Sequence, residues 1–124
     1  MAVLPDGDII FAHYTDFGPE DDMLVYRLDN RGIIKWAQRL GTGEINNVDS
    51  IALGTDGTIA ISGKAYYDGS NYGIHLTKLT QEEGAILFSR VYHYADIDDR
   101  FTEVIQHPNG GFVIKGRGKF PPST

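Results

Sequence analysis

The feature that most constrains the fold of this chain is a sequence repeat with a period of about fifty residues. The turn pairs Asp6-Gly7, Asp56-Gly57 and Asn109-Gly110 mark the repeat, at steps of 56 − 6 = 50 and 109 − 56 = 53 positions. Trp36 and Phe88 keep nearly the same spacing, since 88 − 36 = 52. Repeated units of this kind stack on one another and bury their core between neighbours. The repeat therefore predicts an array of like units, two of them complete and a third in part.

Each complete repeat is predicted to contain four strands and no helix. In the second repeat, isoleucines alternate with smaller residues over 57–63, which is the period-two pattern of a β-strand. Further strands are expected at 50–53, 74–79 and 85–92. The Asp-Gly and Asn-Gly pairs supply the positive φ angles of tight hairpin turns. The chain as a whole is thus expected to hold four strands, then four, then two.

These strands predict an all-β fold made of propeller-like blades of four antiparallel strands, in an incomplete array. An open stack of β-sheets is the alternative architecture. We assign residues 1–118 to one β-repeat domain and residues 119–124 to a tail. The first blade covers about 1–47, the second about 48–100, and a half-blade covers 101–118. The chain is expected to continue into further blades or to self-associate, because a partial array leaves a sheet uncovered.

Two strands are expected to be buried on both faces. Residues 8–12 and 111–115 are rich in Ile, Val and Phe without a clear polar alternation. That pattern is typical of a sheet that lies between two others.

Composition argues against several classes of function. The net charge of −6 does not favour nucleic-acid binding, and no run of 18 apolar residues is present to insert into a membrane. Cysteine is absent, and no two of the four histidines lie at the spacing of a zinc site. The sequence has neither a Gly-x-Ser-x-Gly elbow nor a phosphate loop ending in Lys-Ser or Lys-Thr. We therefore expect a protein that is not an enzyme and carries no cofactor.

The richest candidate ligand site is the connection between the second and third strands of the second repeat. Long connections share one end of an antiparallel meander, where binding residues are usually found. This one combines tyrosine rings with acidic and amide groups, which could stack on and hydrogen-bond a sugar or a peptide. The predicted binding residues are Tyr66, Tyr67, Asp68, Asn71 and Tyr72. A structural role for these tyrosines between strands is the alternative.

A second group of loop residues could hold calcium, which prefers clustered carboxylate oxygens. The candidate ligands are Asp96, Asp98 and Asp99. The spacing does not match an EF-hand loop, so capping of a turn by one of these carboxylates is the competing interpretation.

Three segments resemble bacterial β-propeller repeats. Residues 56–63 (DGTIAISG) are similar to the DGGYIIAG-like hairpin of that family, and residues 28–36 (LDNRGIIKW) to its KLDxxGxxxW strand pair. Residues 41–43 (GTG) match the glycine-rich loop that follows, while Phe88 stands where the family has tryptophan. The resemblance covers nearly the whole chain. It implies part of a larger propeller in a secreted or cell-envelope setting and does not specify an activity. Because the sequence holds no familiar catalytic motif, we expect the chain to be a non-catalytic binding or protein-interaction scaffold.

Two other functions remain open on the sequence. A small oligomeric lectin-like propeller would bind glycans through the tyrosine-rich connections. A quinoprotein-like dehydrogenase is suggested by Gly32 to Trp36, which resembles the GxxxW of propellers that hold a quinone cofactor. The partner is accordingly expected to be a protein or a glycan.

Overall fold

The computed structural model of the chain describes residues 1–15, 22–40, 48–66, 72–92, 102–106 and 111–116. These residues form β-strands and turns and no helix, so none of them builds a helix that is long and apolar enough to cross a membrane. In chain order the strands are β1 (Ala2–Val3), β2 (Ile9–Thr15), β3 (Asp22–Leu28), β4 (Ile34–Leu40), β5 (Ser50–Leu53), β6 (Thr58–Tyr66), β7 (Tyr72–Thr80), β8 (Ile86–Tyr92), β9 (Thr102–Gln106) and β10 (Phe112–Gly116). The prediction of an all-β fold is confirmed.

Within each sheet, strands that are consecutive in the chain pair antiparallel. The strands β1 to β4 form one four-stranded sheet, which we call sheet A, and β5 to β8 form a second, sheet B. The strands β9 and β10 form a two-stranded hairpin. The predicted four-stranded antiparallel sheets are therefore confirmed, and within the described residues the array is open rather than closed.

The two complete repeats share a break in strand pairing at corresponding positions. Pairing of β3 with β4 shifts register after Arg27, which leaves Lys35 as an extra residue in β4. Pairing of β7 with β8 shifts after Lys78 and leaves Leu87 as the extra residue. An inserted residue of this kind is a β-bulge, which increases the local twist. The two bulges lie 87 − 35 = 52 positions apart, so the two sheets share one geometry as well as one strand order.

Sheet A packs face to face on sheet B through apolar side chains. Those buried between the sheets are Leu4, Ile10, Met23, Val25 and Leu40 from the first repeat, and Ile59, Ile61 and Leu79 from the second. Burial of side chains of this size contributes roughly 1.5–3 kcal/mol each. The opposite face of sheet B packs on the hairpin through a smaller cluster built on Ala60, Leu76 and Val104.

The prediction that residues 8–12 and 111–115 are buried on both faces of their sheets is wrong for β2 and β10. The strand that is buried on both faces is β6. In β6 the consecutive residues Ile59, Ala60 and Ile61 are all fully buried, because sheet B has a neighbour on each side. Phe11 in β2 is 41% exposed and Val113 in β10 is 43% exposed. Among the described residues, sheet A and the hairpin each have a neighbour on one face only.

Candidate functional site

The residues predicted to bind a ligand belong to the end of β6, the start of β7 and the connection between them, at one end of sheet B. The backbones of Tyr66 and Tyr72 pair directly with each other at the ends of β6 and β7. Tyr67, Asp68 and Asn71, as well as the side chains of the two paired tyrosines, lie outside the described part of the chain. Their role in binding stays a prediction.

The three aspartates predicted to bind calcium, Asp96, Asp98 and Asp99, also lie outside the described residues. Among the residues that are described, no three His, Asp or Glu side chains come together as a possible metal site. The calcium site therefore stays a prediction as well.

At the opposite end, where the short turns lie, Gln81 joins the two sheets. Its backbone carbonyl accepts hydrogen bonds from Arg27 Nη1 and Trp36 Nε1 of sheet A, both at 2.9 Å. Its side-chain amide donates to the carbonyl oxygens of Gly54 at 2.9 Å and Thr58 at 2.8 Å. Each of these bonds satisfies a polar group that the packing removes from water. Gln81 is thus a structural bridge between sheet A and sheet B.

The same end of the interface contains an ion cluster around Asp8. The Asp8 carboxylate is 7% exposed and accepts hydrogen bonds from Arg27 Nε, at 2.8 Å, and from Lys35 Nζ. Arg27 also contacts Asp6 through Nη2 at 2.9 Å. The hydrogen bond from Lys35, followed by the one from Arg27, lowers the pKa of Asp8 below its ordinary value, and burial opposes them. A carboxylate held ionised in this way fixes Arg27 in position and is unsuited to proton transfer near neutral pH.

The side chain of Trp36 in sheet A packs against Gly84 of sheet B. Gly84 ends the turn after β7 with φ +69°, and a β-carbon built on it would lie 2.7 Å from Trp36 Cδ2 and Cζ3 and closer still to Cε3. Nearby, Gln38 donates from Nε2 to the Gly84 carbonyl at 3.0 Å. The indole therefore fits this site only because residue 84 has no side chain.

An open apolar groove lies between sheet B and the hairpin. Its volume is about 380 Å³, and it is lined by Ile74 and Leu76 of β7, Tyr92 of β8, and Phe112 and Ile114 of β10. The Tyr92 side chain is exposed by 48%. Ile74 pairs with Tyr92 across the sheet, two residues along from the paired end at Tyr72. The groove thus lies at the end of sheet B from which the predicted tyrosine-rich connection leaves.

A second open surface is the face of sheet A that points away from sheet B, which we call the free face. Phe11, His13 and Tyr26 form a continuous aromatic patch there, with His13 stacked on Tyr26 at a centroid distance of 5.7 Å and an interplanar angle of 13°. The Phe11 ring centroid lies 5.5 Å from that of His13 and 6.3 Å from that of Tyr26. Exposed apolar surface of this kind marks sites of interaction in soluble proteins.

A further cleft of about 490 Å³ separates the β1–β2 turn from the β5–β6 turn. It is lined by Val3, Leu4 and Pro5 of the first repeat and by Leu53, Gly54, Thr55, Gly57 and Gln81 of the second. The Gln81 amide is already engaged with the carbonyls of the second repeat, so the cleft offers a ligand few free polar groups.

Sequence reasoning did not find the groove or the free face, although the repeat contains a signal for the latter. At successive positions of the free face, Phe11 and His13 replace Ile61 and Gly63 of the second repeat. Ile61 and Gly63 are buried beneath sheet A, whereas Phe11 is exposed. Two aromatic residues at positions that hold an isoleucine and a glycine in the second repeat indicate a surface with a different neighbour.

No protein-family model matches the chain, and no curated protein matches it in sequence.

Proposed function

We propose that this chain is a non-catalytic binding or protein-interaction scaffold, and that its sheets are blades of a larger β-propeller. The observation that carries the proposal is that, within the described residues, the two outermost sheet faces of the stack expose apolar side chains. Phe11 is exposed on the free face of sheet A. Ile105 and Val113 lie on the outer face of the hairpin and are 51% and 43% exposed. Side chains of this type normally find a protein partner when they are clustered on a sheet.

The propeller arrangement is supported by how successive sheets lie together. The first strand of sheet B, β5, contacts both β1 and β9, the first strands of its neighbours. Blades that radiate from an axis bring their first strands together in this way. The proposal also accounts for the similar geometry of the two complete sheets, since each would make equivalent contacts with the next one.

The experiment that tests the scaffold function is sedimentation velocity of the chain over a wide range of concentration. We expect concentration-dependent association of the wild-type chain, weakened in Phe11→Lys. A charge placed at an exposed position disfavours burial of that face and leaves the internal core untouched. Asn30→Lys is the matched control, since it adds the same charge at an exposed position in the turn between β3 and β4, away from the free face. A chain that stays monomeric throughout, or that associates equally well with Phe11→Lys, would contradict the proposal.

Glycan binding is a second candidate function, favoured by the exposed Tyr92 ring at the mouth of the groove. An amphipathic ring beside an apolar surface can stack on a sugar and hydrogen-bond to it. Nuclear magnetic resonance titration with soluble oligosaccharides of glucose, galactose and N-acetylglucosamine tests this function. Saturable shifts that disappear in Tyr92→Ser would support glycan binding, and their absence for every sugar would exclude these glycans as ligands.

A further inference from the structure

We infer that the outer edge of the fold is a docking surface for a second copy of this chain, with sheet A of one copy against sheet B of the other. The surface lies at the short-turn end, where the turn before the fourth strand of each sheet runs into that strand. We call this part of a sheet its rim. The rim of sheet A consists of Arg31, Ile33 and Ile34, and the rim of sheet B consists of Glu82, Glu83, Ile86 and Leu87.

Both rims expose large apolar side chains. Ile33 and Ile34 are 54% and 55% exposed, and Ile86 and Leu87 are 43% and 52% exposed. Because each rim carries two such residues next to each other in the chain, the exposure is one feature that the repeat preserves. Clustered apolar side chains on a protein surface mark a site of interaction.

The rims stay exposed when sheets stack on one another. Sheet B packs on sheet A through one face and on the hairpin through the other. Ile86 and Leu87 of sheet B are nevertheless exposed, because stacking uses the faces of a sheet and leaves its outer strand at the surface. A further sheet stacked on sheet A or on the hairpin would leave the rims uncovered in the same way. The rims are therefore available to a separate molecule, whatever the length of the array.

The turns that lead into the two rims are built alike. Before β4, the N–H of Asp29 donates to the Ile33 carbonyl at 2.8 Å. Before β8, the N–H of Thr80 donates to the Ala85 carbonyl at 2.9 Å. This shared hydrogen bond places the exposed residues of each turn beside the apolar pair of the same sheet.

The two turns carry opposite charges. Arg31 is exposed in the turn of sheet A, and its contact with Asp29, at 3.3 Å, is a surface ion pair of the kind that contributes little. Glu82 and Glu83 are exposed in the turn of sheet B, and neither forms a salt bridge with another described residue. The rim of sheet A is thus apolar and basic, and the rim of sheet B is apolar and acidic. Complementary charges of this kind select the partner and fix its orientation.

A second copy of the chain supplies both complements at once. In a two-fold dimer, the rim of sheet A in each copy faces the rim of sheet B in the other, so every contact occurs twice. Pairing of like rims would instead bring like charges together. The β-bulges at Lys35 and Leu87 interrupt the two outer strands next to the rims. Since bulges hinder the pairing of sheet edges, the dimer contact is made by side chains.

The test is charge reversal followed by mixing, with the full 124-residue chain in sedimentation equilibrium. One variant is Arg31→Glu, and the other carries Glu82→Lys and Glu83→Lys together. Each variant alone places like charges at both contacts of the dimer, so we expect its dimer to be weakened by at least about tenfold. In an equimolar mixture every rim again meets the opposite charge. We expect the mixture to form dimers with an affinity within about threefold of the wild-type value. Recovery on mixing also shows that both variants are folded.

The apolar part of the rim is tested by Leu87→Lys. Sheet A has Lys35 at the corresponding position of the repeat, since 87 − 35 = 52, so the strand accommodates lysine there. The charge would face the exposed isoleucines of the other copy, and we expect the dimer to weaken by about tenfold or more. Arg90→Glu is the matched control for Arg31→Glu. It makes the same change of charge at an exposed residue farther along β8, and it should leave the dimer unchanged.

This inference goes beyond the proposed scaffold function, which concerns the open faces of the sheets, and the two can fail separately. If Phe11→Lys weakens association while the charge-reversed variants associate like the wild type, the scaffold function stands and the rim dimer is wrong. If charge reversal weakens association and Phe11→Lys does not, the rim dimer stands and the scaffold proposal is contradicted.

Three results would overturn the inference. The first is a wild-type chain that forms no dimer. The second is a mixture of the two charge-reversed variants that stays monomeric although circular dichroism shows both to be folded. The third is an equal loss of dimer in Arg90→Glu and Arg31→Glu, because it would trace the effect to net charge rather than to the rims.

Discussion

Replacing Gly84 by alanine tests whether the contact of Trp36 with the turn holds sheets A and B together. Alanine at φ +69° costs about 1–2 kcal/mol through its left-handed backbone conformation. Its β-carbon would also overlap the indole, and overpacking of this kind costs about 1–3 kcal/mol. A displaced indole would in addition lose the 2.9 Å hydrogen bond from Nε1 to the Gln81 carbonyl, worth about 1 kcal/mol. We therefore expect Gly84→Ala to lower the free energy of unfolding by roughly 3–6 kcal/mol, a large fraction of the total for a domain of this size.

The matched control is Gly32→Ala in the corresponding turn of sheet A. Gly32 has φ +82°, and a β-carbon there would meet nothing within 4 Å, so only the conformational cost of about 1–2 kcal/mol applies. Both variants are measured by urea unfolding, followed by circular dichroism and by the fluorescence of Trp36, the single tryptophan. The double variant Gly84→Ala with Trp36→Leu should recover part of the loss, because the smaller side chain relieves the overlap. Equal losses for the two glycine variants would refute the proposed role of the Trp36 contact.

Three further expectations concern the ion cluster, the Gln81 bridge and the outer face of the hairpin. Because the pKa of Asp8 is lowered in the folded chain, its stabilising effect is present above about pH 3.8 and lost as the pH falls further. Urea titrations should therefore show stability falling below that pH, and falling less steeply in Asp8→Asn. Gln81→Leu should cost about 1–3 kcal/mol in urea unfolding, since the Gly54 and Thr58 carbonyl oxygens each lose one donor and Thr58 keeps the N–H of Gly54, whereas a loss below about 0.5 kcal/mol would contradict a stabilising role of the side-chain amide. Ile105→Lys should change stability by less than about 0.5 kcal/mol but weaken association in sedimentation, because this side chain is 51% exposed; unchanged association would count against the hairpin face.

The strands and turns could be predicted from the sequence because their signals are local. Gly7 and Gly57 each follow an aspartate, and both adopt the positive φ that the turn prediction requires, at +92° and +82°. The alternation of apolar residues predicts the strand that follows each turn, and the repeat predicts the number of strands in each sheet.

Contacts between the sheets could not be predicted in the same way, because they join residues that are far apart in the chain. The Gln81 carbonyl meets Trp36, 45 positions away, and nothing in the sequence around either residue indicates the other. The groove was also missed, since Ile74 and Leu76 have the pattern of an ordinary strand, and nothing near them in the sequence shows that an open groove adjoins them. The predicted tyrosine and aspartate sites depend on connections outside the described residues, so they remain predictions.

If the chain binds partners through its open sheet faces, as we propose, residues on those faces should respond when the protein associates. The most direct measurement is methyl nuclear magnetic resonance of the isoleucines and valines as the protein concentration is raised. We expect shifts or line broadening at Ile105 and Val113, on the outer face of the hairpin, and none at Ile59 and Ile61, which are already buried between sheets A and B. Association without any change at Ile105 and Val113 would contradict the claim, as would equal changes at the internal pair.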